Sequence, residues 1–230
     1  ILAGRAVTTN ASGSLTSNES YIDINAAGAI SLDSALLANG DNAGVGIKIA
    51  SGATLGAITS TDAATMNSTA GSINITNANG NIDLSSDTIT ASTNVVIDAD
   101  AGAVTVGDDV DSDTLTATAG FVEIDATGNI ITNAYLSAET DVSITSTADN
   151  VTINEDITAT AGFIDVDAAT SLAVSNATLL ATGAVADIML NANGAITLTG
   201  STVTADDAIW LHTTTGNISL TGTTAVTSIN

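Results

Sequence analysis

Between residues 22 and 211, apolar and polar residues alternate in a short phrase that returns every 20 to 27 residues. It runs Ile22-Asp23-Ile24, Ile47-Lys48-Ile49, Ile73-Asn74-Ile75, Val95-Val96-Ile97, Val122-Glu123-Ile124, Val142-Ser143-Ile144, Ile164-Asp165-Val166, Ile188-Met189-Leu190 and Ile209-Trp210-Leu211. A period of two puts alternate side chains on opposite faces, so each phrase predicts a strand with one buried face. A unit this short cannot bury that face alone. Its copies must stack into one continuous core.

Residues 71–91 show how one unit is built. Ile73 and Ile75 flank Asn74, Asn77-Ala78-Asn79-Gly80 turns the chain, and Ile82 and Leu84 flank Asp83 in a second strand. Ser85-Ser86-Asp87 turns it again before a third strand, Thr88-Ile89-Thr90-Ala91. Second strands recur at Ile30/Leu32, Val104/Val106, Ile130/Thr132, Val151/Ile153, Leu172/Val174, Ile196/Leu198 and Ile218/Leu220, often just after a glycine. Third strands centre on Leu115, Leu136, Ile157, Leu179 and Val203, each followed two residues later by Ala. One unit is irregular, since Gly52-Ala53-Thr54-Leu55 fits the second strand poorly. The closest internal match pairs TATAGFVEID at 116–125 with TATAGFIDVD at 158–167, an offset of two units.

The predicted fold is therefore all-β: a single right-handed parallel β-helix, or β-solenoid, with three short strands per coil and about nine coils. At an interstrand spacing of about 4.8 Å, nine coils make a rod about 40 Å long. Helices are opposed by the strict alternation and by Gly or Asn at short intervals. Residues 1–18 read as an irregular segment or the continuation of a preceding coil, and 19–230 as the shaft.

Composition sharpens this picture. Hydrophobic residues make up 44% of the chain but aromatics only 2%, which suits a narrow interior filled by aliphatic layers. There is no Pro, as expected where nearly every backbone N–H serves a ladder, and no Cys, so disulfides and thiolate metal sites are excluded. The 25 acidic residues face only Arg5 and Lys48, for a formal charge of −23. That balance excludes nucleic acid or anionic lipid held through a basic patch. The sequence shows no apolar leader and no run long enough to insert in a membrane, which predicts a processed chain or a segment of a larger one.

Units such as GSINITNANGNIDLSSDTITAS and TGNISLTGTTAVTS resemble the repeats of large bacterial exoproteins of the filamentous-haemagglutinin type and related β-strand-repeat surface proteins. The resemblance extends from about residue 19 to the end and rests on repeat grammar. It implies secretion, a right-handed β-helical shaft, and a role in adhesion, biofilm matrix or surface filaments.

Several constellations are candidates for chemistry. Gly107-Asp108-Asp109-Val110-Asp111-Ser112-Asp113 is the densest acidic turn, and Asp108, Asp109, Asp111 and Asp113 are the candidate calcium ligands, with a hydrated loop as the alternative. The chain carries no other candidate cofactor site. Glu123 and Asp165 share the outward position of the first strand with Ser143 between them, about 10 Å apart, which makes them a candidate carboxylate pair of glycosidase type, with solvated outward residues on alternating strands as the alternative. Enzymes that cleave acidic polysaccharides also need cationic groups, and Arg5 outside the regular coils and Lys48 alone in its coil do not meet that need. His212, the only His, is placed just past the end of a first strand at Leu211, with no nucleophile beside it. Thr88/Thr90, Thr114/Thr116 and Thr202/Thr204 suggest a Thr array of ice-binding type, interrupted by Tyr135, Asp156 and Leu180. Lys48 lies between Asp23 and Asn74 as a cross-strand partner. Met189 and Trp210 form two successive outward apolar rungs, a candidate contact with another chain or a flanking segment. Seven Asn-x-Ser/Thr triplets begin at Asn10, Asn18, Asn67, Asn74, Asn150, Asn176 and Asn217, and matter only where the source cell glycosylates Asn.

Together these features predict a non-enzymatic, extracellular structural protein, a shaft segment of a bacterial filament or giant adhesin. Neither terminus looks like a cap, so contact with its own kind or with flanking repeats is expected. The alternative is an adhesin holding a host or glycan ligand through its turns or the Met189/Trp210 face.

Overall fold

The structure, a computed structural model, describes residues 1–10, 13–52, 56–60, 64–85, 88–108 and 113–229. Among these residues it contains thirty strands arranged as three parallel ten-stranded sheets, and successive strands fall in the first, second and third sheet in turn. This is a β-solenoid with three strands per coil. One coil is Val122–Ala126, Ile130–Thr132 and Tyr135–Ala138. The next is Val142–Ser146, Val151–Ile153 and Ile157–Ala159.

The repeated phrase pairs in register throughout. Ile24, Ile49, Ile75, Ile97, Ile124, Ile144, Val166 and Leu190 form one ladder of the first sheet, and all eight are fully buried. The second sheet contributes Ile30, Ile58, Ile82, Val104, Ile130, Val151, Leu172 and Ile196, and the third Leu36, Met66, Ile89, Leu115, Leu136, Ile157, Leu179 and Val203. Burying each such side chain is worth about 1.5–3 kcal/mol, so the core gains stability coil by coil. Identical faces on identical spacing fix the register, because a one-residue slip would turn every aliphatic group outward. Third strands end in Ala where the chain bends and room is small: Ala91, Ala117, Ala138, Ala159, Ala181 and Ala205 are all buried.

Backbone N–H groups of one coil donate to carbonyls of its neighbours around the corners as well as along the strands, as in Val122 N–H to Asp141 O at 2.9 Å. Close stacking of turns requires glycine at particular places. A Cβ on Gly102 would stand 2.2 Å from the carbonyl oxygen of Gly80 one coil below.

Two details depart from the pattern read in the sequence, and the amino-terminal residues form the preceding coil that was one of the two readings. The second strand of the irregular coil is Ile58–Ser60, not Gly52-Ala53-Thr54-Leu55. Of that tetrapeptide, residues 53–55 lie outside the described residues. Leu2–Ala3, Val7–Thr8 and Ser14–Ser17 pair with the strands that follow, adding one coil before Ile22 to the nine that carry the phrase. The last first-sheet strand runs Ile209–Thr213, so it does not stop at Leu211. In this final coil the inward residues are uncovered: Leu220 is 51% exposed and Ile218 43%.

Candidate functional site

Chemistry on a solenoid must be assembled from outward side chains on successive rungs, and the first sheet carries most of it. Its first outward row reads Asp23, Lys48, Asn74, Val96, Glu123, Ser143, Asp165, Met189 and Trp210, each paired with the next in register. A second row, two residues on, reads Asn25, Ala50, Thr76, Asp98, Asp125, Thr145, Asp167, Asn191 and His212. The sequence fold thus converts a spacing of 20 to 27 residues into direct neighbours.

Carboxylates concentrate in the middle of these rows, and their environment opposes ionisation. Burial, then repulsion from Asp100 and Asp125, raises the pKa of Asp98. For Glu123, burial, then the charge of Asp125 and a hydrogen bond with it, then Asp98, act in the same direction. Asp165 is raised by burial and then by Asp167. Its Oδ1 is occluded and accepts no hydrogen bond. Glu123, Ser143 and Asp165 line an open groove of about 320 Å³ with Phe121, Val122, Asp141 and Phe163. Both Phe residues stand at the corner just before the first sheet, and Phe163 is 37% exposed. The paired-carboxylate separation read from the sequence is retained, with Ser143 on the intervening rung.

This corner is organised by side chains that reach one coil onward. Oδ1 of Asn94 accepts the backbone N–H of Phe121 at 3.1 Å, and Oδ1 of Asp141 that of Phe163 at 3.0 Å. Oδ1 of Asp187 accepts from Ala208 at 3.0 Å. The arrangement recurs on alternate coils. Its trace in the sequence is the 116–125/158–167 match, whose Ala-Gly-Phe begins each ledge, but the aromatic groove itself was missed.

The remaining candidates are placed as follows. Met189 stacks beneath Trp210, which is 50% exposed, so the two apolar rungs adjoin on the surface. His212 is inside a strand, not past its end, and pairs in register with Asn191. It lines a second open groove, of about 310 Å³, with Asp167, Asn191 and Thr214. Lys48 is in register between Asp23 and Asn74, yet Oδ1 of each of those two residues is occluded and accepts no hydrogen bond. In the acidic turn, Asp109 and Asp111 lie outside the described residues. Asp113 is buried at 6% exposure and its Oδ2 accepts the Asp108 N–H at 3.1 Å, so this carboxylate is a turn-forming group. Among the described residues no three His, Cys, Asp or Glu side chains converge as a metal site. The Thr array is interrupted as expected: Thr114 pairs with Tyr135, and Thr158 and Thr204 flank Leu180. No helix among the described residues is long and apolar enough to cross a membrane.

No family model, curated protein or solved structure matches the chain.

Proposed function

We propose that this chain is a section of a structural shaft, a secreted, non-enzymatic rod that holds other parts of a bacterial surface filament or giant adhesin at a distance. The observation that carries this reading is the continuous stack, with each sheet running through all ten coils over one predominantly aliphatic core. Stability in such a stack adds by nearest-neighbour contacts, so length can grow without a new core. Sequence resemblance to the repeats of filamentous-haemagglutinin-type exoproteins supports secretion and the filament role. The edges of a stacked sheet are open to further pairing, so contact with flanking repeats or with a second copy is part of this reading, a heterologous contact that propagates when it does not close.

Electron microscopy of the purified chain tests the shaft. Rods that join end to end are expected. Compact particles with no tendency to align would overturn the assembly reading.

A second reading, an adhesive module, is favoured by the Met189/Trp210 pair, because adjoining exposed apolar groups mark contact surfaces. Trp210→Ser separates the two. A shaft keeps its assembly and loses no ligand, whereas an adhesin loses saturable binding.

A further inference from the structure

The groove at the corner of the first sheet joins two aromatic ledges to carboxylates with no basic side chain among the lining residues. Phe121 and Phe163 are separated by one rung, occupied at the corner by Asp141, so the ledges are about 10 Å apart. Glu123 is on the coil of Phe121, Asp165 on that of Phe163, and Ser143 on the coil between them. Nothing in the chain supplies the missing positive charge, since Lys48 is three rungs from Glu123 and Arg5 is in the first coil. A second copy brings the same −23 and so does not complement the groove.

The form of the groove selects the kind of cation. Among the described residues no three acidic side chains converge on one point, which disfavours a small, hard ion needing several oxygens at once. A guanidinium or ammonium group on an apolar stem is suited instead. Its charge meets the carboxylates, its stem lies on the ledges, and the ring faces add a cation–π attraction. The groove is open and does not enclose a small molecule, and its acidity spreads into the second outward row, at Asp125 and Asp167 on the same two coils and at Asp98 one coil before, while Glu123 and Asp165 themselves are two rungs apart. An occupant must therefore be extended along the coils to gather these contacts.

We propose that this groove docks an extended basic segment of another polypeptide, with successive Arg or Lys side chains seated against Glu123 and Asp165 between the Phe121 and Phe163 rings. This goes beyond the shaft reading, since it holds whether or not the rods polymerise.

The test is fluorescence anisotropy of the full chain with a fluorescein-labelled peptide of alternating Arg and Ser. Saturable binding is expected. It should weaken by about tenfold or more both in Phe121→Ala/Phe163→Ala and in the isosteric Glu123→Gln/Asp165→Asn. Glu19→Gln/Glu155→Gln removes the same charge elsewhere and should leave binding within about twofold. Circular dichroism confirms folding of each variant. Three results would overturn the proposal: no saturable binding, equal weakening by the remote pair (diffuse attraction only), or displacement of the peptide by equimolar calcium chloride (a metal site instead).

Discussion

Oδ1 of Asp141 occupies the space that a side chain on Gly162 would need. The carboxylate accepts the Phe163 N–H at 3.0 Å, and a Cβ built on Gly162 would lie 2.1 Å from that oxygen and 2.7 Å from the carbonyl of Thr140. The same relation links Asn94 to Gly120, where the distance would be 2.0 Å. Glycine before each Phe is thus a packing requirement between coils. Gly162→Ala is expected to cost about 1–3 kcal/mol in chemical denaturation. Adding Asp141→Ala should restore only part of it, because the Thr140 backbone stays in place and Phe163 loses its acceptor. A Gly162→Ala protein as stable as the parent would contradict this account.

The stacked core makes a graded prediction along the rod. Leu136 is fully buried between coils on both sides, whereas Leu220 is half exposed in the last coil. Leu136→Ala should cost about 2–5 kcal/mol, and Leu220→Ala under about 1 kcal/mol. Urea denaturation of the two variants measures both, and equal losses would argue against a solenoid stabilised by neighbouring coils.

How much of this was legible follows from what alternation encodes. From Ile22 to Leu211 the two-residue period reports both the buried face and the pairing partner, so the three sheets and the stacked Met189 and Trp210 could be read directly. Turn length is not encoded that way. The strand Ile58–Ser60 is not located by the sequence pattern, because alternation alone does not show where pairing resumes after Ser51. His212 was placed outside its strand because strand ends depend on partners, here Asn191, about twenty residues away. The groove escaped notice for a related reason. The repeat containing Phe121 and Phe163 was visible, but its meaning depends on the coil lying between them.

A buried amide tests how turns are satisfied. Asn77 is fully buried, and its Nδ2 donates to Gly56 O and Asn81 O, both at 2.9 Å. Ser51 and Ser146 meet the analogous need in other coils, with Oγ donating to Gly28 O at 3.0 Å and to Gly128 O at 2.8 Å. Asn77→Ala should cost about 1–3 kcal/mol by stranding these carbonyls. Asn77→Ser should lose less, since the hydroxyl can still reach one acceptor, and thermal melting would rank the three proteins.

Acid should stabilise this protein over a range where many others begin to weaken. Asp98, Glu123 and Asp165 have folded-state pKa values above their ordinary ones, chiefly through burial and then through neighbouring Asp100, Asp125 and Asp167. Above those raised values each group is charged in both states, and the folded state carries the penalty. As the pH falls through them the folded chain takes up protons before the unfolded chain does, so unfolding becomes less favourable. The gain is complete once the pH is below the ordinary carboxylate values of about 4. The net charge of −23 acts in the same direction, because protonation relieves repulsion along the ladders. Melting temperature is therefore expected to rise from neutral pH towards that range. The combined variant Asp98→Asn/Glu123→Gln/Asp165→Asn should melt higher at neutral pH and show a flatter profile. A parent protein that loses stability steadily on acidification would show that these carboxylates are solvated and paired, and that the crowding of Glu123 against Asp125 carries no energetic weight.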